Sequence, residues 1–246
     1  MQFRSTSSMT LLDFSIIPAT SAHVRYAEAI CDEMFESAKA RGTGIARRKP
    51  EYIARKMEEG KAVIALHKDG RWAGFCYIET WSHGDYVANS GLIVNPAFRK
   101  VGLAKAIKKR VFELSREKYP QAKIFGLTTG LAVMKINSDL GYEPVTYAEL
   151  TQDEEFWKGC QSCVNYDILI SKERKNCMCT AMLWDPVEKE RELKEKIQRR
   201  AEAKKRLDRI VKKQSLLKRI EAKLWKSSKK IIAAVFPVGT GTVKGI

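Results

Sequence analysis

The spacing of apolar residues changes period several times along the chain. Residues 20–40 place Val24, Ala27, Ile30, Met34 and Ala38 on roughly one helical face, behind Thr20 or Ser21 as N-cap, which predicts a first helix. The string RGTG at 41–44 breaks it, and Pro50 opens a second short helix that runs through Glu59 and stops at Gly60. Residues 62–67 (AVIALH) and 72–80 (WAGFCYIET) read as two strands joined by a short turn containing Gly70, a β-hairpin. A third strand, 86–94, ends at Asn95 and Pro96, and a long amphipathic helix then runs from Gly102 to about Lys118. A strand near 123–128 and a helix near 131–139 follow, with GYEP at 141–144 as the exit. Two more strands, 164–170 and 179–184, are expected to pair as a closing hairpin. Strands mixed with helices, hairpin first, predict an α/β layer and exclude a helical bundle or a β-sandwich.

From Pro186 the texture changes. Residues 188–230 are nearly free of Gly and Pro, with Leu207, Ile210, Leu217 and Leu224 at heptad spacing and Gln214 and Glu221 interrupting it. We read one long helix, with residues 231–246 as a flexible tail and residues 1–187 as the folded body. The charge distribution supports this division. Residues 188–230 hold 18 Lys and Arg against 7 Asp and Glu, whereas residues 1–187 hold 26 against 22. The net charge of +16 therefore describes the tail far more than the body. The tail is expected to be solvated, self-associated, or placed against an acidic partner, RNA or a membrane surface.

Hydrophobic residues make up 44% of the chain, enough for one sizeable core, and exclude a collagen-like or wholly disordered protein. No stretch approaches the ~20 apolar residues of a transmembrane helix. Without a clear signal sequence a cytoplasmic location is the expectation, and the six cysteines are then expected to be reduced or metal-bound, not a disulfide framework.

The segment GLIVNPAFRKVGLA at 91–104 carries the candidate chemistry. A strand ends at Asn95, a short loop carries Arg99, and Gly102 precedes a helix. Unpaired N–H groups at a helix N-terminus make a cradle for a pyrophosphate, and Gly102 and Ala104 leave its mouth open. An ordinary strand-to-helix turn is the alternative.

The string RKVGLA resembles the Q/R-x-x-G-x-G/A loop of the GCN5-related N-acetyltransferase (GNAT) superfamily, and LGYEP at 140–144 is similar to a segment that follows the last helix of that family. The order of elements from about residue 14 to 184 agrees. The resemblance implies a mixed, mostly antiparallel central sheet flanked by helices, with the long basic helix appended. It implies acyl transfer from an acyl-coenzyme A, acetyl or succinyl, to an amine by direct attack in a ternary complex. Arg99, Lys100, Val101, Gly102, Leu103 and Ala104 would hold the pyrophosphate. Leu92, Ile93 and Val94 would pair with the pantetheine and offer a backbone N–H to the thioester carbonyl.

Asn137 stands where many family members have a Tyr that protonates the leaving thiolate. An amide donates a hydrogen bond but is no general acid, so water or Tyr142 would have to serve, or the site is silent. Glu79 is the first candidate for the base, acting through a water, with His83 and Asp85 as rivals. Arg47 and Arg48 are candidate clamps for an acceptor carboxylate, beside Arg41 and Lys49. Segments 130–142 and 156–163 resemble bacterial GNAT-type proteins of arginine biosynthesis, which implies the α-amine of glutamate as acceptor. The competing functions are acetylation of a protein or RNA amine recruited by the tail, and a coenzyme A-binding module without catalysis.

Cys160, Cys163, Cys177 and Cys179 have the thiolate count of a structural zinc site. The expected closing hairpin places the two pairs ~20 Å apart at ~3.3 Å per residue, so zinc requires a different pairing.

Overall fold

Proline marks both edges of the central sheet. In the computed structural model, which describes residues 9–42 and 48–235, the strands are β1 (Phe14–Pro18), β2 (Ala62–His67), β3 (Trp72–Trp81), β4 (Tyr86–Val94), β5 (Lys123–Thr128), β6 (Glu143–Val145) and β7 (Thr180–Trp184). They form one sheet in the order β1-β2-β3-β4-β5-β7-β6, antiparallel throughout except for the parallel β4–β5 pair. Pro18 and Pro144 lie on the edge strands, where a missing ladder donor costs least.

The helices are α1 (Ala27–Arg41), α2 (Pro50–Glu58), α3 (Leu103–Lys118), α4 (Leu131–Asp139), α5 (Glu154–Lys158), α6 (Tyr166–Ser171) and α7 (Pro186–Val235). Alternation along β3 sorts the core into two layers. Phe75 and Tyr77 pack with Ile30 and Met34 of α1 and Ile53 and Met57 of α2. Cys76 and Ile78 pack with Leu103, Ile107, Val111 and Leu114 of α3. A third cluster joins Ala88, Phe125, Ala181 and Leu183 of the sheet to Tyr147, Leu150, Trp157 and Leu169.

Several elements differ from the sequence expectation. Residues 164–170 do not form a strand: Tyr166–Ser171 is a helix of which only Leu169 is buried, and the partner of β7 is β6. A short apolar run cannot be divided between helix and strand by periodicity alone, and Pro144 argues against the strand that does form. β1, with its own Pro18, has the same history.

The chain divides into two compact units, Met1–Lys189 and Glu190–Ile246. The C-terminal helix runs unbroken to Val235, further than expected, and residues 236–246 lie outside the described residues.

Candidate active site

The sheet opens where β4 and β5 part. Their parallel register covers Tyr86↔Lys123, Val87↔Ile124 and Ala88↔Phe125 and goes no further, while β5 continues to Thr128 against β7. The second half of β4, residues 89–94, therefore keeps β3 on one side and has no ladder on the other. That half is bulged: Phe75 pairs with Ile93 and Tyr77 with Ser90, so Gly91 and Leu92 together face Cys76. Gly91 is required there on two counts. Its φ is +64°, and a Cβ would stand 2.4 Å from a Tyr77 ring carbon and 2.9 Å from the Met34 methyl. Leu92, Ile93 and Val94 thus belong to the half of the bulged strand that has β3 on one side and no ladder on the side of β5.

Asn95 ends β4 by accepting a hydrogen bond from the Ala97 N–H at 3.0 Å and donating to Trp72 O at 3.2 Å. The loop then passes through Lys100 at φ +72° to Gly102 at φ +89°. The Ala106 N–H bonds to Gly102 O, so the amides of Leu103, Ala104 and Lys105 precede the first helical bond of α3. A Cβ on Gly102 would meet nothing within 4 Å. The cradle is thus open at its mouth and lined by donors at the positive end of a 16-residue helix, which fits a pyrophosphate.

Arg99 is committed elsewhere. Its guanidinium donates to Glu33 Oε1 at 2.9 Å and Ser37 Oγ at 2.8 Å, both on α1, and its Nε donates to Val94 O at 3.1 Å. The side chain ties the loop to α1 and to the end of β4.

Glu79 sits level with the point where β4 and β5 part, paired with Ala88 and only 8% exposed. It shares a face of β3 with Tyr77 and is reached from α2 and the loop before it. The Tyr52 hydroxyl donates to Glu79 Oε1, Arg48 comes within 3.5 Å of the same oxygen, and Arg48 Nε donates to the Tyr77 hydroxyl at 2.8 Å. Burial and the neighbouring Glu79 carboxylate raise the Tyr52 phenol well beyond its ordinary range. Burial opposes the Arg48 charge, but Tyr77 and Glu79 outweigh it and its pKa is raised. Burial lowers that of Lys56 on the same helix. Tyr52 and Tyr77 were not among the sequence candidates, though the period-two alternation of β3 already puts Tyr77 beside Glu79.

The other candidates are dispersed. His83, at φ +57°, is exposed on the turn between β3 and β4, as is Asp85. Arg47 lies outside the described residues. Asn137 is 1% exposed: its Nδ2 donates to Met182 Sδ at 3.7 Å, its backbone carbonyl accepts from Leu140 and Tyr142, and its side-chain oxygen has no partner. Tyr142 is buried too, its hydroxyl donating to Asn89 Oδ1 at 3.1 Å, and burial raises its pKa. Asn89 also donates to Ser115 Oγ at 2.7 Å and accepts from Lys108 on its backbone carbonyl at 3.3 Å. Lys108 is itself 2% exposed, and burial lowers its pKa.

With residues 166–171 helical, the spacing argument that separates the two cysteine pairs does not hold. The Asn165 N–H donates to Cys163 Sγ at 3.4 Å and Cys177 Sγ donates to Asn165 O at 3.7 Å, so the two loops meet. Burial and the other thiols raise the pKa of Cys160 and push that of Cys179 up to about 12. Among the described residues no three Cys, His, Asp or Glu side chains are grouped to hold a metal ion.

No protein-family model matches the chain. A thialysine N-epsilon-acetyltransferase of Caenorhabditis elegans is 28% identical over 145 residues, covering 58% of this chain and 88% of that protein. Among solved structures, N-acetylglutamate synthase from Neisseria gonorrhoeae, complexed with coenzyme A and N-acetyl-glutamate, is 16% identical with a TM-score of 0.49. The match covers 70% of this chain and 35% of that one, so this chain spans about a third of the Neisseria protein. A Mycobacterium tuberculosis protein in complex with coenzyme A is 18% identical with a TM-score of 0.49, over 70% of this chain and 98% of that one.

Proposed function

We propose that the chain is a GNAT-type N-acetyltransferase that transfers an acetyl group from acetyl-coenzyme A to the primary amine of a small amino acid in the cytosol. The observation that carries this reading is the Tyr52–Glu79–Arg48 cluster, set level with the parting of β4 and β5. An amino acid brings an ammonium, which a carboxylate attracts, and a carboxylate, which a guanidinium attracts. Glu79 and Arg48 supply one of each.

In this reading Glu79 accepts the proton of the incoming ammonium, directly or through a water, and the freed lone pair attacks the thioester carbon. Tyr52 and Arg48 fix the carboxylate so that it is not reoriented during the reaction. Backbone N–H groups on the unpaired side of β4 face the carbonyl oxygen as it gains charge, and gain strength there as the charge develops. The amides of Leu103 to Lys105 anchor the pyrophosphate, and water supplies the thiolate proton, since Asn137 and Tyr142 are enclosed. Acetyl is the donor group we favour over succinyl.

Glutamate is the acceptor implied by the sequence resemblance of segments 130–142 and 156–163. The worm relative favours a second acceptor class, an amino acid acylated on its side-chain amine, because it is named for thialysine. A thiol-release screen of acetyl- and succinyl-coenzyme A against the twenty amino acids and thialysine separates them, with mass spectrometry locating the acylated nitrogen. Turnover with glutamate supports the first and turnover with lysine or thialysine the second. Thiol release only with protein or RNA substrates would overturn both, and coenzyme A binding with no turnover would leave a binding module.

A further inference from the structure

The C-terminal unit carries two surfaces that the chemistry above does not use. On α7, every seventh residue from 210 is large and apolar: Ile210, Leu217, Leu224 and Ile231. With Leu207 and Trp225 at the margin of this sector they are 46–65% exposed. At 100° per residue, Lys205, Lys212, Arg219, Lys223, Lys226 and Lys230 fall within about 60° of one another on the opposite side. Between residues 207 and 231 the helix therefore carries an apolar stripe, interrupted by Lys213, Gln214, Glu221 and Ser228, with a cluster of cations on the opposite side.

Three occupants could cover such a face, and the residues discriminate between them. A coiled coil would enclose the second column of the same sector, Leu207, Gln214, Glu221, Ser228 and Val235, against a partner helix, whereas at a headgroup boundary its polar middle layers stay within reach of water. A second copy of this chain would also bring the same excess of 18 basic over 7 acidic residues against itself. Nucleic acid would satisfy the lysines through its phosphates and leave the Leu, Ile and Trp side chains in water. An anionic bilayer takes both sides at once. The apolar sector enters the boundary between headgroups and acyl chains, the lysines meet anionic headgroups, and a Trp at the margin suits that depth. Among the described residues no helix is long and apolar enough to cross a membrane, so the geometry is that of a helix lying on the surface.

We propose that residues 207–231 form an interfacial segment that binds the full-length protein to anionic phospholipid surfaces. The inference is independent of the acceptor, because none of its residues belongs to the candidate active site.

The test is co-sedimentation of the full-length protein with phosphatidylcholine vesicles and with phosphatidylcholine–phosphatidylserine vesicles, at low and high salt. Binding to the anionic vesicles at least tenfold stronger than to the neutral ones, and weaker at high salt, is expected. Leu217→Glu with Leu224→Glu should remove it while thiol release is unchanged. Because those substitutions bear on helix stability, a second variant neutralises the other side, with Lys212, Arg219, Lys226 and Lys230 all replaced by Gln. It should lose anionic binding and keep its helical circular dichroism. Equal binding to both vesicle types, no binding, or retention of binding in the Leu→Glu variant would overturn the proposal. So would displacement of the protein from vesicles by RNA together with RNA affinity that the Leu→Glu variant retains, which would assign the lysines to nucleic acid.

Discussion

The Tyr52 hydroxyl donates to the Glu79 carboxylate, bridging α2 and β3 at the level where β4 and β5 separate. The pair joins residues 27 apart in sequence and places an oriented acceptor beside the opening of the sheet. If Glu79 takes the amine proton, Glu79→Gln should lower kcat by about 10²–10⁴-fold with little change in coenzyme A affinity. Tyr52→Phe keeps the ring and removes the donor. Its kcat should fall about tenfold, and less than that of Glu79→Gln, with altered pH dependence as the mark of an effect exerted through Glu79. An unchanged pH–rate profile in both variants would move the base elsewhere.

Arg99 predicts a different kind of loss. Its partners are Glu33 and Ser37, so it braces the cofactor loop against α1. Arg99→Ala and Glu33→Gln should behave alike: each lowers the melting temperature by a few degrees, as befits a partly exposed ion pair of about 1 kcal/mol, and weakens coenzyme A less than tenfold. A direct phosphate contact would instead show as a large affinity loss in Arg99→Ala alone.

Lys108 is a buried amine that donates to Asn89 O at 3.3 Å. Burial lowers its pKa in the folded protein, so from that value up to about 10.4 the unfolded chain binds more protons and stability rises with pH. Lys108→Met removes the cost of enclosing the charge and should raise the melting temperature, by the equivalent of about 1–2 kcal/mol near neutral pH. Thermal melts of both proteins from neutral to alkaline pH should converge as pH rises. A gap that widens would refute the assignment.

Asn137→Tyr is expected to destabilise and not to restore a general acid. The site is closed, with Asn137 1% exposed and its Nδ2 against Met182 Sδ. Overpacking of this kind costs about 1–3 kcal/mol, measurable by denaturant titration. A fully stable variant with raised turnover would show that the position opens to the cleft.

The candidate site was legible in the sequence to the extent that it is made of backbone. Strand, loop and helix around 86–118 are written in local periodicity and in the glycine spacing, and they fall where expected. Glu79 and Arg48 were also legible as residue types, and the structure brings them together. Tyr52, Glu33 and Ser37 were not, because their roles depend on which face of α1 or α2 meets the sheet, a long-range property. Asn137 could be aligned with a catalytic position, but its burial comes from Met182 on β7, far along the chain. The two edge strands were missed because proline, an argument against a central strand, is permitted at an edge.

Calorimetric titration of coenzyme A into the wild type and into Gly102→Glu tests the central claim most directly, that the loop before α3 receives the cofactor pyrophosphate. Gly102 combines φ +89° with open space in front of it, so a glutamate there strains the turn and places a like charge in the cradle. Saturable binding by the wild type and a loss of at least a hundredfold in the variant, with its fold confirmed by circular dichroism, is the predicted result. Equal affinity in the two proteins would contradict the assignment of the loop.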